Sequence, residues 1–125
     1  SDFVMDQAKK NERGVARICL HSSTNDSIQL MVIGLAPNYQ FPAHQHLMKD
    51  EWLIHMDGAG LFRFHGEEGT SETESTHAFL KQEVVTVAKG RWHSIESLDS
   101  GLAFTEVAPG PFNPADTIYR DNDVR

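Results

Sequence analysis

Short runs of alternating apolar and polar residues make up most of the chain from Val15 onward, and this period of two most constrains the fold. The runs are rich in β-branched and aromatic side chains, and clusters of Asn, Asp, Gly, Pro and Ser separate them. The pattern predicts an all-β, antiparallel sandwich or barrel, because no convincing amphipathic helix lies between the runs. The predicted strands cover residues 16–21, 28–36, 40–46, 51–57, 60–66, 76–81, 83–88, 92–98 and 102–108.

Two glycine-containing breaks are typical of hairpin turns, where glycine supplies a positive φ. They are Asp57-Gly58-Ala59-Gly60 and Lys89-Gly90. The acidic, hydroxyl-rich stretch from Gly66 to Ser75 is interpreted as a solvated loop. It lacks the Asp and Asn spacing of a calcium-binding loop, which makes it a poor candidate for a calcium site.

Length and charge limit the classes of function. At 125 residues the chain is one domain by length, and its only cysteine, Cys19, lies in an apolar run that predicts a small buried side chain. The formal charge of −7 and the scattered Lys and Arg residues argue against a nucleic-acid partner. No apolar run reaches the ~20 residues of a membrane span, and no signal-peptide core is visible, so we expect no membrane partner and a cytoplasmic protein.

Three imidazoles and one carboxylate occur at a spacing that suggests a metal site. His44 and His46 lie two apart on a predicted strand and therefore point to the same side. Glu51 begins the next predicted strand after a short turn, and His93 follows Gly90 in a later one. These four side chains are the predicted ligands of one divalent transition metal (Fe, Mn, Ni, Co or Zn), because Ca and Mg prefer all-oxygen shells. Four protein ligands would leave an octahedral ion two free positions for chemistry.

These residues resemble the cupin superfamily. Its first motif is matched from His44-Gln45-His46 through Glu51 to Gly58, although Asn38 stands where the opening glycine is expected. Its second motif is matched by the run from Ala88 to His93, with Ala88 in place of proline. The resemblance implies a double-stranded β-helix, or jelly-roll barrel, with a metal in its mouth, and a homodimer.

A closer likeness, from about Arg17 to Tyr119, is to the WbuC-type cupin-fold metalloproteins found with polysaccharide O-antigen genes. The resembling pieces are the run Arg17 to His21, Asp26, Gln29, Met31 and the run Glu106 to Phe112. This likeness implies that the tail after Pro111 packs back over the barrel. We therefore divide the chain into residues 1–14, an N-terminal arm or short helix, and residues 15–125, a single cupin barrel with a C-terminal tail.

Three residues are candidates for catalytic roles, each with an alternative. His55 shares the parity of Glu51 and either lines the cavity or is a hydrogen-bonded histidine on a half-buried face. His21 either reaches over the cavity or forms a hydrogen bond that stabilises the fold. Glu51 acts as a ligand or, if it detaches, as a base. Arg63 is either an anion clamp or solvent-facing, and His65 and His77 are interpreted as surface or loop histidines.

No nucleophile elbow or phosphate-binding glycine loop is present, so any chemistry must depend on the metal. One hypothesis is a small-molecule metalloenzyme, for example a dioxygenase or an isomerase. It would use Lewis-acid or Fe(II)/O₂ chemistry on a sugar, a keto acid or a similar oxygen-chelating substrate. The second is a non-catalytic cupin that binds a carbohydrate or small ligand in polysaccharide biosynthesis. A third is a metal-free barrel in which the histidines only form hydrogen bonds.

Overall fold

One antiparallel sheet, curled on itself, makes up most of the computed structural model, which describes residues 2–11, 13–66 and 73–120. An N-terminal helix packs on its outside. The elements are α1 (Asp2–Lys10), β1 (Val15–Cys19), β2 (Ile28–Leu35), β3 (Gln40–His46), β4 (Glu51–His65), β5 (Thr73–Phe79), β6 (Val84–Val87), β7 (His93–Pro109), a 3₁₀ turn (Pro114–Asp116) and β8 (Thr117–Tyr119). No helix among these residues has both the length and the apolar character needed to cross a bilayer.

The two long strands β4 and β7 divide the sheet into two halves that face each other. In the first half, residues 52–58 of β4 pair with residues 102–107 of β7, and the sheet continues through β6 and β2–β1. In the second half, residues 60–64 of β4 pair with residues 93–97 of β7, and the sheet continues through β5 and β3–β8. The halves close on a common interior, as expected for a jelly roll.

The prediction of a hairpin at residues 57–60 is wrong, because β4 runs through this segment without a turn. Gly58 has φ 77° and lies between two register shifts, where the strand passes from the first half of the sheet to the second. A Cβ at Gly58 would overlap the carbonyl oxygen of Gly101, so the glycine allows a close crossing of backbones. Gly101 has φ 76°, and a Cβ there would lie 3.0 Å from the Leu35 carbonyl oxygen of β2. The strand β7 runs through Gly101, so the two strands predicted at 92–98 and 102–108 are one.

The turn expected at Lys89-Gly90 is present, but it does not form a hairpin. The Arg91 amide donates to the Ala88 carbonyl at 3.2 Å, and Gly90 has φ 80°. The turn joins β6 to β7, and β6 pairs with β4 instead. Within the acidic stretch, residues 67–72 lie outside the described residues, and Thr73 to Ser75 begin β5.

Apolar and polar residues alternate along the strands, so apolar side chains fill the interior. Leu35, Phe62, Phe79 and Leu102 are fully buried there. Two side chains of the strands are exposed, and for Cys19 the predicted burial is wrong. Trp52 is 41% exposed, because it has the opposite parity to the buried neighbours Glu51 and Leu53. Cys19 is exposed, because it ends β1 at the open rim of the barrel.

Residues 1–14 were expected to be an arm or a short helix, and Asp2–Lys10 form helix α1. Val4, Met5 and Ala8 are buried, and this apolar side of the helix packs against the outer face of the sheet at Ala103. The fit is close, because a Cβ built on Gly34 of β2 would lie 2.5 Å from the Val4 carbonyl oxygen. Glycine at position 34 therefore lets the helix lie directly on the sheet. The division of the chain at residue 15 stays a prediction.

We expect Gly34→Ala to push α1 off the sheet and to lower the free energy of unfolding by about 1–3 kcal/mol, the usual cost of overpacking. Urea denaturation measures the stability, and hydrogen exchange of the α1 amides measures the displacement. Thr86→Ala, at an exposed position of β6, is the control and should leave α1 exchange unchanged. Wild-type protection of α1 in Gly34→Ala would show that the helix does not press on Gly34.

Candidate metal centre

The strand β3 brings two imidazoles to one side of the sheet, and β7 brings a third beside them. His44 and His46 are two residues apart and both are buried. His93, the first residue of β7, pairs directly with His44, and their ring centroids are 4.2 Å apart. All three imidazoles belong to the second half of the sheet.

The carboxylate comes from the opposite half. Glu51, the first residue of β4, is buried and faces the three imidazoles across the interior. Its Oε1 lies 3.3 Å from His46 Nε2 and 3.2 Å from His93 Nε2. One possible ligand atom from each of His44, His46, Glu51 and His93 lies within 4.8 Å of the other three. The structure therefore brings together four side chains that come from three strands.

The Nδ1 atoms of the three histidines contact groups that lie outside the cluster. His44 Nδ1 donates to the Pro42 carbonyl at 2.9 Å, and His93 Nδ1 donates to the Arg91 carbonyl at 2.8 Å. A carbonyl oxygen can only accept, so both rings carry their proton on Nδ1 and leave the Nε2 lone pair directed inward. Such outer hydrogen bonds orient histidines for metal binding.

His46 is held by the C-terminal strand. Its Nδ1 lies 3.1 Å from the Thr117 hydroxyl and 4.0 Å from the Asp116 carboxylate. Asp116 is itself buried and accepts the Met48 amide at 2.6 Å. Neither Asp116 nor Thr117 was among the sequence candidates, since only the pairing of β8 with β3 brings them to His46.

The chemistry of this donor set fits a cation. The Nε2 lone pairs of His44 and His93 face the Glu51 carboxylate, so neither of these two rings can donate a hydrogen bond to it while it is neutral. Glu51 Oε2 is also buried and finds no hydrogen-bond partner among the described residues. Buried acceptors without donors are costly, and a bound divalent cation would satisfy them.

The electrostatics of the cluster favour the protonation states that ligation needs. Burial, together with the charges of His93 and His46, lowers the pKa of His44 to about 3, although the Pro42 hydrogen bond and the charge of Glu51 act in the opposite direction. Burial alone would raise the pKa of Glu51, but contacts with His46 and His93 hold it well below its ordinary value. Near pH 7 His44 is therefore neutral and Glu51 is charged.

A second carboxyl lies beside Glu51 and was missed in the sequence. Burial, the charge of Glu51 and a hydrogen bond to Glu51 together raise the pKa of Glu106 to about 8. Lys49 and Arg17 act in the opposite direction. The signal was present, because Glu106 has the interior parity of the buried Phe104 and Ala108 in β7.

The other candidate residues lie outside the cluster of four. His55 is buried, but its Nδ1 accepts the Gln82 amide at 2.9 Å and its Nε2 donates to the Gly58 carbonyl at 2.7 Å. His21 Nδ1 accepts the Leu30 amide at 3.0 Å. For both residues these contacts favour the structural interpretation. Two other histidines contact hydroxyls: His65 contacts Ser94 and His77 contacts Ser75. Arg63 forms an ion pair with Glu96.

Solved structures with a similar fold include three with TM-scores from 0.65 to 0.73. The capsular polysaccharide assembling protein CapF from Staphylococcus aureus has a TM-score of 0.73 at 25% identity, over 88% of this chain and 30% of CapF. The formate complex of Lactobacillus farciminis oxalate decarboxylase has a TM-score of 0.69 at 18% identity, over 87% of this chain and 32% of the decarboxylase. KdgF from Halomonas sp. has a TM-score of 0.65 at 13% identity, over 83% of this chain and 84% of KdgF. The chain thus spans about a third of the length of CapF and of oxalate decarboxylase.

These neighbours are cupin-fold proteins, so the predicted antiparallel jelly-roll fold of the cupin superfamily is confirmed. The closer likeness to the WbuC-type proteins stays a prediction. Curated proteins give no match to the sequence. A family model described as Domain of unknown function (DUF6016) matches residues 2–78, more than half of the chain, and the chain therefore belongs to this family.

Proposed function

We propose that the protein is a metal-binding cupin in which His44, His46, Glu51 and His93 hold one divalent transition metal. The observation that carries the proposal is the convergence of four buried acceptors within 4.8 Å of one another. The imidazole and carboxylate donors suit Fe, Mn, Ni, Co or Zn better than Ca or Mg. The metal-free alternative would leave these acceptors facing one another with few donors.

We further propose that the protein is a small-molecule metalloenzyme. When bound, the metal would supply a Lewis acid, or with Fe(II) a site for dioxygen chemistry, acting on a sugar, keto acid or similar substrate. Glu51 neutralises part of the metal charge, and the Nδ1 contacts of the histidines fix the ring orientations. Glu106 is a further carboxyl beside the cluster that can hold or move a proton at its Oε atoms. A dioxygenase and an isomerase both remain compatible with this arrangement.

The alternative is a cupin that binds a carbohydrate or small ligand without turnover. The backbone hydrogen bonds of His55 and His21 favour it, since they leave these two rings without a free base directed at a substrate. The fold likeness to a capsular polysaccharide assembling protein supports a link with polysaccharide biosynthesis, as does the WbuC-type likeness. The carboxyl of Glu106 favours the enzyme, because it supplies a group that a purely binding cavity does not need.

The location, oligomeric state and partners of the protein also stay proposals. We propose a cytoplasmic homodimer with a small-molecule ligand and with neither nucleic acid nor membrane as a partner. The net charge of −7 supports the absence of a nucleic-acid partner. Homodimer formation depends on the cupin likeness.

Protein purified without added metal should contain about one transition metal per chain, and the double variant His44→Ala, His93→Ala should lose it while staying folded. Elemental analysis measures the metal and circular dichroism measures the fold. His77→Ala, at an exposed position of β5, is the control and should keep the metal. Stoichiometric metal in the double variant would refute the ligand assignment.

Thr117→Val and Asp116→Asn should each weaken metal binding about 10–100-fold, because they remove groups that hold His46 from outside the cluster. A competition titration with a chromophoric chelator measures the affinity. The exposed Asp99→Asn variant changes charge in the same way and should behave as wild type. Wild-type affinity in both Thr117→Val and Asp116→Asn would show that the C-terminal strand does not orient His46.

In the metal-stripped protein, His44 should lower the stability as the pH falls from about 6.5 towards 3, a contribution that Glu106 opposes above about pH 4.5. The unfolded chain binds a proton at His44 near its ordinary pKa of 6.5, whereas the folded chain resists it down to about 3. The unfolded state therefore holds more protons in this window, and stability must fall with pH. Urea denaturation of EDTA-treated protein at several pH values should show a shallower slope for His44→Gln than for wild type or His77→Gln.

The raised pKa of Glu106 predicts the opposite trend between about pH 4.5 and 8 in the same metal-stripped protein. Its contribution is fully present below the ordinary value of 4.5 and is lost as the pH rises through about 8. Glu106→Gln should remove this decline. Equal pH slopes in wild type and in both glutamine variants would contradict the burial assigned to His44 and Glu106.

A further inference from the structure

Side chains that point away from the interior form an apolar surface on the first half of the sheet. In one row across its strands, the neighbours in the register are Leu20, Leu30, Val107, Trp52 and Thr86. Leu20, Trp52 and Thr86 are exposed, and the other two are half-buried. This row therefore presents four apolar side chains in succession on the outside of the barrel.

The next row along the strands has the same character. Its neighbours in the register are Ile18, Val32, Thr105, Ile54 and Val84, and Val84 is 56% exposed. Helix α1 packs against Ile18 and Val32 and so covers only one end of this row. Neither row contains a charged side chain, and we call the two rows together the uncharged face.

The outer side of the second half of the sheet differs. There Arg63 forms an ion pair with Glu96, and both residues have the opposite parity to their buried neighbours Phe62 and Ile95. Charged residues make up 23% of the chain, and such residues normally lie at the surface. Their absence from two complete rows indicates a surface that is kept for contact with another molecule.

The uncharged face is large enough for the centre of a protein interface. Neighbouring strands lie ~4.8 Å apart and outward residues of one strand ~7 Å apart, so two rows across five strands cover on the order of 300 Å² in plan. A standard interface buries about 800 Å² of each partner, as an apolar centre with a polar rim. The uncharged face matches the apolar centre, and the polar residues around it would supply the rim.

The charge of the protein favours a second copy of this chain as the occupant. Each copy carries a formal charge of −7, so two copies can approach most closely where no carboxylates meet. A two-fold axis through the uncharged face brings two such surfaces together without placing like charges opposite each other. Two sheets pack face to face in this way, ~10 Å apart. The same negative charge disfavours an anionic membrane surface as the occupant.

We propose that the protein forms a two-fold homodimer through the uncharged face, with Trp52 as the largest side chain in the interface. The inference rests on the proposed homodimer and adds the contact surface, which the likeness to cupins does not specify. Trp52 directly follows the cluster residue Glu51 and points to the other side of β4. The interface would therefore lie behind the metal centre and leave the interior accessible.

Sedimentation equilibrium of the protein as purified should show a dimer at micromolar concentrations. Trp52→Glu brings two carboxylates into the apolar centre and should raise the dimer Kd about 30-fold or more, the loss typical of an interface hot spot. Val84→Glu, in a strand that pairs only with β4, should raise the Kd about tenfold. Ala78→Glu is the matched control, because it adds the same charge at an exposed position of β5 in the second half and should leave the Kd unchanged.

Quenching of tryptophan fluorescence by acrylamide tests the uncharged face in the unmodified protein. The chain has two tryptophans, of which Trp52 is exposed and Trp92 is buried. Quenching should therefore fall as the protein concentration rises through the dimer Kd, because Trp52 becomes protected. Circular dichroism measures the fold of each variant, and the quenching experiment decides the question if a variant unfolds.

The outcomes separate this surface from the rest of the proposed function. A dimer whose Kd is unchanged in Trp52→Glu and Val84→Glu, or whose formation leaves quenching unchanged, defeats the surface and leaves the homodimer standing. An equal loss in Ala78→Glu and Trp52→Glu also defeats the surface. A monomeric wild-type protein defeats both the surface and the homodimer, and elemental analysis of the same sample decides independently on the metal centre. A monomer that binds phosphatidylcholine vesicles through Trp52 would assign the face to lipid and overturn the inference.

Discussion

The sharing of β4 and β7 between both halves of the sheet is the constraint on which the candidate site depends. Glu51 begins β4 in the first half and His93 begins β7 in the second, so the two meet only because the sheet curls and closes. The contact of 3.2 Å between them spans the interior. The backbone crossing at Gly58 and Gly101 makes this curvature possible, since side chains there would separate the strands.

Burial sets the protonation states of the four ligand side chains and makes it costly in free energy to hold them together without a cation. An exposed histidine would titrate near neutral pH, but burial and its charged neighbours lower the pKa of His44 to about 3. The same burial leaves Glu51 Oε2 without a hydrogen-bond partner among the described residues. The fold thus uses part of its stability to keep acceptors together, as sites built for ligands commonly do.

The spacing of residues predicts an antiparallel sandwich or barrel and the four cluster residues, and the resemblance to cupins adds the jelly roll. A period of two sets which side of a strand His44 and His46 occupy, and turn lengths limit where Glu51 begins. Spacing could not show whether Gly58 makes a turn or a bulge, because both use positive φ at glycine. Nor could it place Asp116 and Thr117, since their contact with His46 requires the tail to pair with β3.

The reaction depends on the residues around the cluster more than on the cluster itself. Proteins with this fold include an oxalate decarboxylase and a capsular polysaccharide assembling protein, so the barrel alone does not determine the chemistry. What can differ between such barrels is the lining of the rim. In this chain Glu106 faces inward from a strand whose other interior residues, such as Phe104 and Ala108, are apolar. A half-buried carboxyl beside a carboxylate is costly, and groups whose pKa is shifted in this way are concentrated at functional sites.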